Sequence, residues 1–164
     1  MQDSKSNYRV LVADDIRSAR EVLRSWLSEL KMEVTLVMDG RCAIESINET
    51  PPDLIITDIE MPRMSGLELI NAIRGSDDPL INQLPVVVVT SLLDKEIGDV
   101  VGHFGGTTAM IKPLDKLTTQ TLVRGILSSN MPTKIDDNKE LTDTMGISSA
   151  ISPTLRRLMR KAQK

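Results

Sequence analysis

The chain has 164 residues, a formal net charge of −3, 26% charged residues and 40% hydrophobic ones, which suits one sizeable core plus an appendage. That balance excludes a global electrostatic pull towards nucleic acid or anionic membrane. No apolar run approaches the roughly 18 residues that span a bilayer; the segment from Met1 to Asn7 is polar, and the single cysteine, Cys42, cannot form an intramolecular disulfide, so a reducing cytoplasm and a buried thiol are expected.

The first apolar run is Val10-Leu11-Val12-Ala13, followed by an i, i+3, i+4 stripe of Ala19, Val22, Leu23, Trp26, Leu27 and Leu30. This pattern predicts a strand and then an amphipathic helix whose stripe, Trp26 included, faces the core. Further runs follow at Val34-Thr35-Leu36-Val37, Leu54-Ile55-Ile56-Thr57 and Val86-Val87-Val88-Val89, with a weaker fifth at Ala109-Met110-Ile111. They are continuous rather than alternating and rich in β-branched residues, as strands of a parallel sheet are when helices cover both faces. Weaker helical stripes are Leu69, Ile70 and Ile73, and Ile97, Val100, Val101 and Phe104, while Asp39-Gly40, Pro51-Pro52, the stretch 75–79 and Gly105-Gly106 punctuate the segments as turns.

The reading is five βα units with right-handed crossovers: an α/β, doubly wound parallel sheet with helices on both faces. In such sheets ligands bind beyond the carboxyl ends of the strands. Asp14 and Asp15 follow the first strand, Asp58 ends the third, Thr90 the fourth and Lys112 the fifth, so all five are expected on one rim. Crowded carboxylates repel unless a cation neutralises them, and an all-oxygen cluster suits a hard ion such as Mg²⁺. A phosphoryl group arriving on one carboxylate would find its charge stabilised by the metal, by the Lys112 ammonium and by the Thr90 hydroxyl. Taken singly, each residue has a plainer explanation: paired acids suit a helix N-terminus, a threonine suits a turn, and a lysine suits a solvated strand end.

Asp14-Asp15, the run Asp58-Ile59-Glu60-Met61-Pro62-Arg63-Met64-Ser65-Gly66, Thr90-Ser91 and Lys112-Pro113 together resemble the receiver domains of two-component response regulators, over roughly residues 8–128. The resemblance implies a flavodoxin-like five-stranded sheet of order 2-1-3-4-5. It implies that Asp58 is the phosphoacceptor and that Asp15 and Asp58 hold Mg²⁺ directly, with Asp14 helping through water and the Glu60 carbonyl as a further ligand. It also implies that Lys112 pairs with the phosphoryl group, that Thr90 moves towards it and draws the following loop, and that the Lys112-Pro113 bond is cis. The implied donor is a sensor histidine kinase or a histidine phosphotransfer protein, and the implied output is an interaction with a downstream protein of unknown identity, homodimer formation included. The implied chemistry of the domain itself is slow self-phosphorylation and autodephosphorylation rather than turnover as an enzyme.

The chain departs from the family pattern three residues before the lysine, where an aromatic residue is usual and Ala109 stands. An aromatic rotamer switch cannot operate there, which leaves a backbone shift, or another reporter such as Phe104 or Met110. Glu60 and Leu92 occupy the two positions that influence dephosphorylation in the family. A phosphatase of the haloacid-dehalogenase type also uses an Asp nucleophile with Mg²⁺, but it needs a second Asp where Glu60 stands and Thr soon after, where Met61 and Pro62 stand.

Met131-Pro132 stops the last helix of the domain, and Asp136 to Asp143 is polar and acidic, so residues 129–164 are expected to be a linker and a short basic helix or tail. Ser152-Pro153 can start that helix, with Leu155, Leu158 and Met159 on one side and Arg156, Arg157, Arg160 and Lys161 around them. Too few residues follow Leu127 for a DNA-binding domain, so nucleic-acid binding is not expected. The expectation is a stand-alone receiver; the alternatives are the receiver module of a longer regulator and a phosphorylation-independent pseudo-receiver. His103, the single histidine, is expected at a helix end without catalytic partners.

Overall fold

A computed structural model describes residues 7–129 and 151–164; most of the expected polar N-terminal tail and most of the linker lie outside them. The described elements run β1 (Arg9–Ala13), α1 (Arg17–Ser28), β2 (Glu33–Val37), α2 (Gly40–Glu49), β3 (Leu54–Asp58), α3 (Gly66–Arg74), α4 (Pro79–Asn82), β4 (Val86–Thr90), α5 (Ile97–His103), β5 (Thr108–Ile111), α6 (Lys116–Ser129) and α7 (Pro153–Ala162). The strands form one parallel sheet of order β2-β1-β3-β4-β5, the doubly wound topology expected from the sequence.

Helices cover both faces, and each face has its own apolar cluster. Leu11, Ile55, Val86 and Val88 point to the side of Ala43, Ile47, Leu67, Ile70, Ile73 and Val100. Val10, Val12, Leu54, Ile56, Val87 and Val89 point to the side of Leu23, Leu27 and Val123. This alternation is why the central strands are continuously apolar: β3 and β4 are buried at every position, and each fully buried Val, Leu or Ile contributes about 1.5–3 kcal/mol relative to exposure. β2 and β5 are edge strands and only half-buried over most of their length.

Local chemistry sets the helix starts. Ser65 caps α3 in a capping box, its hydroxyl accepting from Glu68 N at 3.3 Å while the Glu68 carboxylate accepts from Ser65 N at 2.9 Å. Asp78 caps the one-turn α4, which begins on Pro79 within a stretch read from the sequence as a turn. The Arg74 guanidinium staples this region, donating to Gly105 O, Asn82 O and Leu84 O at 2.9, 2.7 and 2.7 Å.

Two packing expectations need correction. Val22 is exposed, because it sits about a quarter-turn from Leu23 at the edge of the α1 stripe. Trp26 packs against the Leu23–Leu27 side as expected, partly buried. Cys42 is half-buried rather than buried, facing Asp39 and Arg63 beyond the end of β2. No helix among the described residues is long and apolar enough to cross a membrane.

Candidate functional site

The register of the sheet builds the site. Ala13 of β1 lies opposite Thr57 of β3, so the next residues on both strands, Asp14 and Asp58, emerge side by side. Asp58 lies opposite Val89, which puts Thr90 one residue further along β4. Thr90 lies opposite Ile111, which puts Lys112 just past the end of β5, its N–H donating to Thr90 O at 2.8 Å. The cis Lys112–Pro113 bond follows.

The side chains meet as this register requires. Lys112 Nζ donates to Asp14 Oδ2 at 3.0 Å and to Asp58 Oδ2 at 3.2 Å. Asp14 and Asp58 are buried, whereas Asp15 is exposed at the mouth. Carboxylate oxygens of Asp14, Asp15 and Asp58 lie within 4.8 Å of one another, an all-oxygen donor set that suits a hard divalent cation. The Glu60 N–H approaches Asp58 Oδ1 at 3.4 Å. Thr90 is fully buried, and its hydroxyl oxygen accepts from Leu92 N at 3.0 Å.

Burial pushes the Asp58 carboxyl above the ordinary carboxylate range and Asp14 adds to this, while Lys112 and the Glu60 N–H oppose it. Burial alone would lower the Lys112 ammonium, but its bond to Asp14 and the Asp58 charge hold it above its usual value. The site therefore combines a partly desolvated carboxylate, a cation fixed beside it and two further acids. A bound divalent cation would balance the negative charge that Lys112 leaves uncompensated.

Two backbone features hold Asp58 in place. Gly66 N donates to Ile59 O at 3.0 Å, and a Cβ at Gly66 would stand 2.3 Å from Asp58 O. Only glycine admits this approach of α3 to the end of β3. The sequence reading did not single out Arg20, whose guanidinium donates to Asp14 O at 2.5 Å. Its position on α1, six residues after Asp14, was the available signal. Asp39 was read only as part of a turn, yet it is fully buried beyond the end of β2. It caps α2 by accepting from Arg41 N and Cys42 N at 2.8 and 3.0 Å, and it pairs with Arg63.

His103 closes α5, edge-on to the Phe104 ring and away from the carboxylates of the rim. Ala109 packs against the cluster that contains Phe104, whereas Met110 packs on the opposite face of the sheet.

The family model described as "response regulator receiver domain" matches residues 10–124. The 3′,5′-cyclic-nucleotide phosphodiesterase regA of Dictyostelium discoideum is 32% identical over 129 residues, covering 77% of this chain and 16% of that protein. Response regulator MprA of Mycolicibacterium vanbaalenii is 41% identical over 83 residues, covering 51% of this chain and 34% of that protein. The chain thus spans 16% and 34% of the length of these two relatives. Among solved structures, the chemotaxis response regulator CheY4 of Vibrio cholerae superposes with a TM-score of 0.69 at 26% identity, covering 74% of this chain and 99% of that one.

Proposed function

The chain belongs to the response regulator receiver family, and from that membership we propose that Asp58 accepts a phosphoryl group from a sensor histidine kinase or histidine phosphotransfer protein in a Mg²⁺-dependent reaction. The observation that carries this reading is the register that brings Asp14, Asp58, Thr90 and Lys112 to one rim, with Asp15 at its mouth. An Asp58 carboxylate oxygen attacks phosphorus in line; the P–O bond forms as the bond from phosphorus to the donor nitrogen breaks, and the donor leaves with the electron pair.

Asp14, Asp15 and Asp58, with the Glu60 carbonyl, would hold Mg²⁺, which neutralises charge on the transferring group. Lys112, already bonded to Asp58 Oδ2, is placed to exchange that contact for a phosphoryl oxygen. The Thr90 hydroxyl has a proton to give to another once it turns from Leu92 N. The same groups support slow self-phosphorylation from small donors and slow autodephosphorylation, and nothing beyond that. Output is a phosphorylation-dependent interaction with a downstream protein in the cytoplasm, in a stand-alone receiver or as one module of a longer regulator.

The test is intact mass spectrometry of wild type and Asp58→Asn after incubation with a small-molecule phosphodonor, with and without Mg²⁺. A gain of one phosphoryl mass that needs Mg²⁺ and is absent from Asp58→Asn is the expected result. Wild type that folds and binds Mg²⁺ but gains no mass would mark a phosphorylation-independent pseudo-receiver.

A further inference from the structure

α7 does not project from the domain. Leu155, Leu158, Met159 and Ala162, with Ile151 just before the helix, are all buried, and they join the apolar cluster of α2, α3 and α5. The helix packs along α3. Its carboxyl end is pinned there, since Asn71 Nδ2 on α3 donates to Ala162 O at 3.0 Å. Its charged residues Arg157, Arg160 and Lys161 face outwards.

The amino end is fastened differently. Ser152 caps α7 by accepting from Leu155 N. Its own N–H donates to Asp94 Oδ1 at 2.6 Å and its hydroxyl donates to Asp94 Oδ2 at 2.9 Å. Both oxygens of one carboxylate are therefore engaged by one residue, in charge-assisted bonds that a shift of about an ångström would break.

Asp94 lies in the coil between Thr90 and α5, and its carbonyl accepts from Ile97 N at 3.1 Å. The same coil is held at its start by the Leu92 N–H bond to the Thr90 hydroxyl. A single short segment thus connects Thr90, on the rim with Asp58, to the clamp on α7. The clamp and the bond from Leu92 N to the Thr90 hydroxyl are present together.

We propose that α7 is an intramolecular latch, docked on α3 while Asp58 is unmodified and released when phosphorylation of Asp58 turns Thr90, displaces the coil 91–96 and breaks the Asp94–Ser152 clamp. This rests on Asp58 being the phosphoacceptor. Phosphorylation then frees a basic amphipathic helix and uncovers the apolar face of α3. The device supplies an output where Ala109 removes the aromatic reporter. Linkage makes the coupling reciprocal: docked α7 opposes phosphorylation by the factor with which phosphorylation opposes docking, typically about 5- to 150-fold in such systems.

Hydrogen exchange of residues 153–162 in the full chain, read with Mg²⁺ before and after a small-molecule phosphodonor, tests this directly, with intact mass followed in the same samples. In wild type, exchange in α7 is expected to speed up by about fivefold or more on phosphorylation, and in Asp58→Asn to stay unchanged. Asp94→Ala keeps the Ser152 cap on α7 but removes the clamp, so it is expected to exchange fast without donor and to phosphorylate faster than wild type. Ser152→Gly keeps the N–H bond to Asp94 but loses both hydroxyl bonds, the one to Asp94 and the cap from Leu155 N, and glycine retains most of the capping preference, so its exchange should fall between those of wild type and Asp94→Ala. A phosphoryl mass gain with unaltered exchange in 153–162 would overturn the latch and leave the role of Asp58 standing, as would an Asp94→Ala protein that matches wild type in both readings. Absence of any mass gain in wild type would overturn the acceptor reading and the latch with it.

Discussion

Asp14 and Asp39 lie in the corresponding turns of successive βα units, one residue beyond the carboxyl end of β1 and two beyond that of β2, and both are buried. They do opposite work. Asp39 satisfies the first N–H groups of α2 and pairs with Arg63, so its charge is absorbed by local folding. Asp14 accepts locally from Ile16 N alone, and its other oxygen is committed to Lys112 across the rim; α1 has Ile16 at its N-cap and so no side-chain cap. Strand order makes the difference. β1 lies beside β3 and therefore beside Asp58, whereas β2 is at the edge and Asp39 takes no part in the cluster of Asp14, Asp15 and Asp58. One residue type in the same turn of the repeat becomes a folding device or a chemical one according to its exact position and what the neighbouring strand delivers.

The sharpest way to separate the two is to remove each charge and read both stability and phosphorylation. Asp14→Asn is expected to lower the rate of Mg²⁺-dependent phosphorylation by about ten- to a hundredfold, the scale on which groups that support a metal site act. Its unfolding midpoint in urea should be no lower than that of wild type, because relief of the repulsion with Asp58 offsets the lost Lys112 bond. Asp39→Ala should do the reverse. Loss of the α2 cap costs about 0.5–2 kcal/mol of unfolding free energy, while phosphorylation per folded molecule stays within about twofold, less than the 1.4 kcal/mol that a tenfold change represents. If Asp39→Ala instead abolishes phosphorylation in a folded protein, the division of labour is wrong.

The same contrast explains what could be read from the sequence. The strand runs and the positions of Asp14, Asp15, Asp58, Thr90 and Lys112 at their ends were legible, because central parallel strands must be continuously apolar and their ends are then marked by the first polar residues. Asp39 was not legible as a buried cap: an Asp-Gly pair between apolar segments reads equally well as an exposed turn, and only the approach of Arg63 from 24 positions away distinguishes them. Val22 belongs to a stripe wider than the strip of α1 that reaches the sheet. The Asp94–Ser152 clamp joins residues 58 positions apart, both polar and in non-periodic stretches. A helix starting at Ser152-Pro153 could be read, but where it would land could not.

Acid titration gives the smallest of these effects and isolates Asp39 on its own. Burial pushes its carboxyl up, but the Cys42 N–H, the Arg63 guanidinium and the Arg41 N–H together hold it below the ordinary value of 3.8. A carboxyl whose folded pKa is depressed binds fewer protons folded than unfolded, so its contribution to stability is fully present above the unfolded pKa and is lost as pH falls through the folded one. Wild type should therefore show an added loss of urea stability as the pH drops below about 4, superimposed on whatever the other acids contribute. Asp39→Ala, less stable at neutral pH, should lack that component, so the two stability curves converge in acid. Curves that stay parallel down to the acid transition would mean that the Asp39 charge contributes nothing to the fold and that its capping geometry alone holds α2.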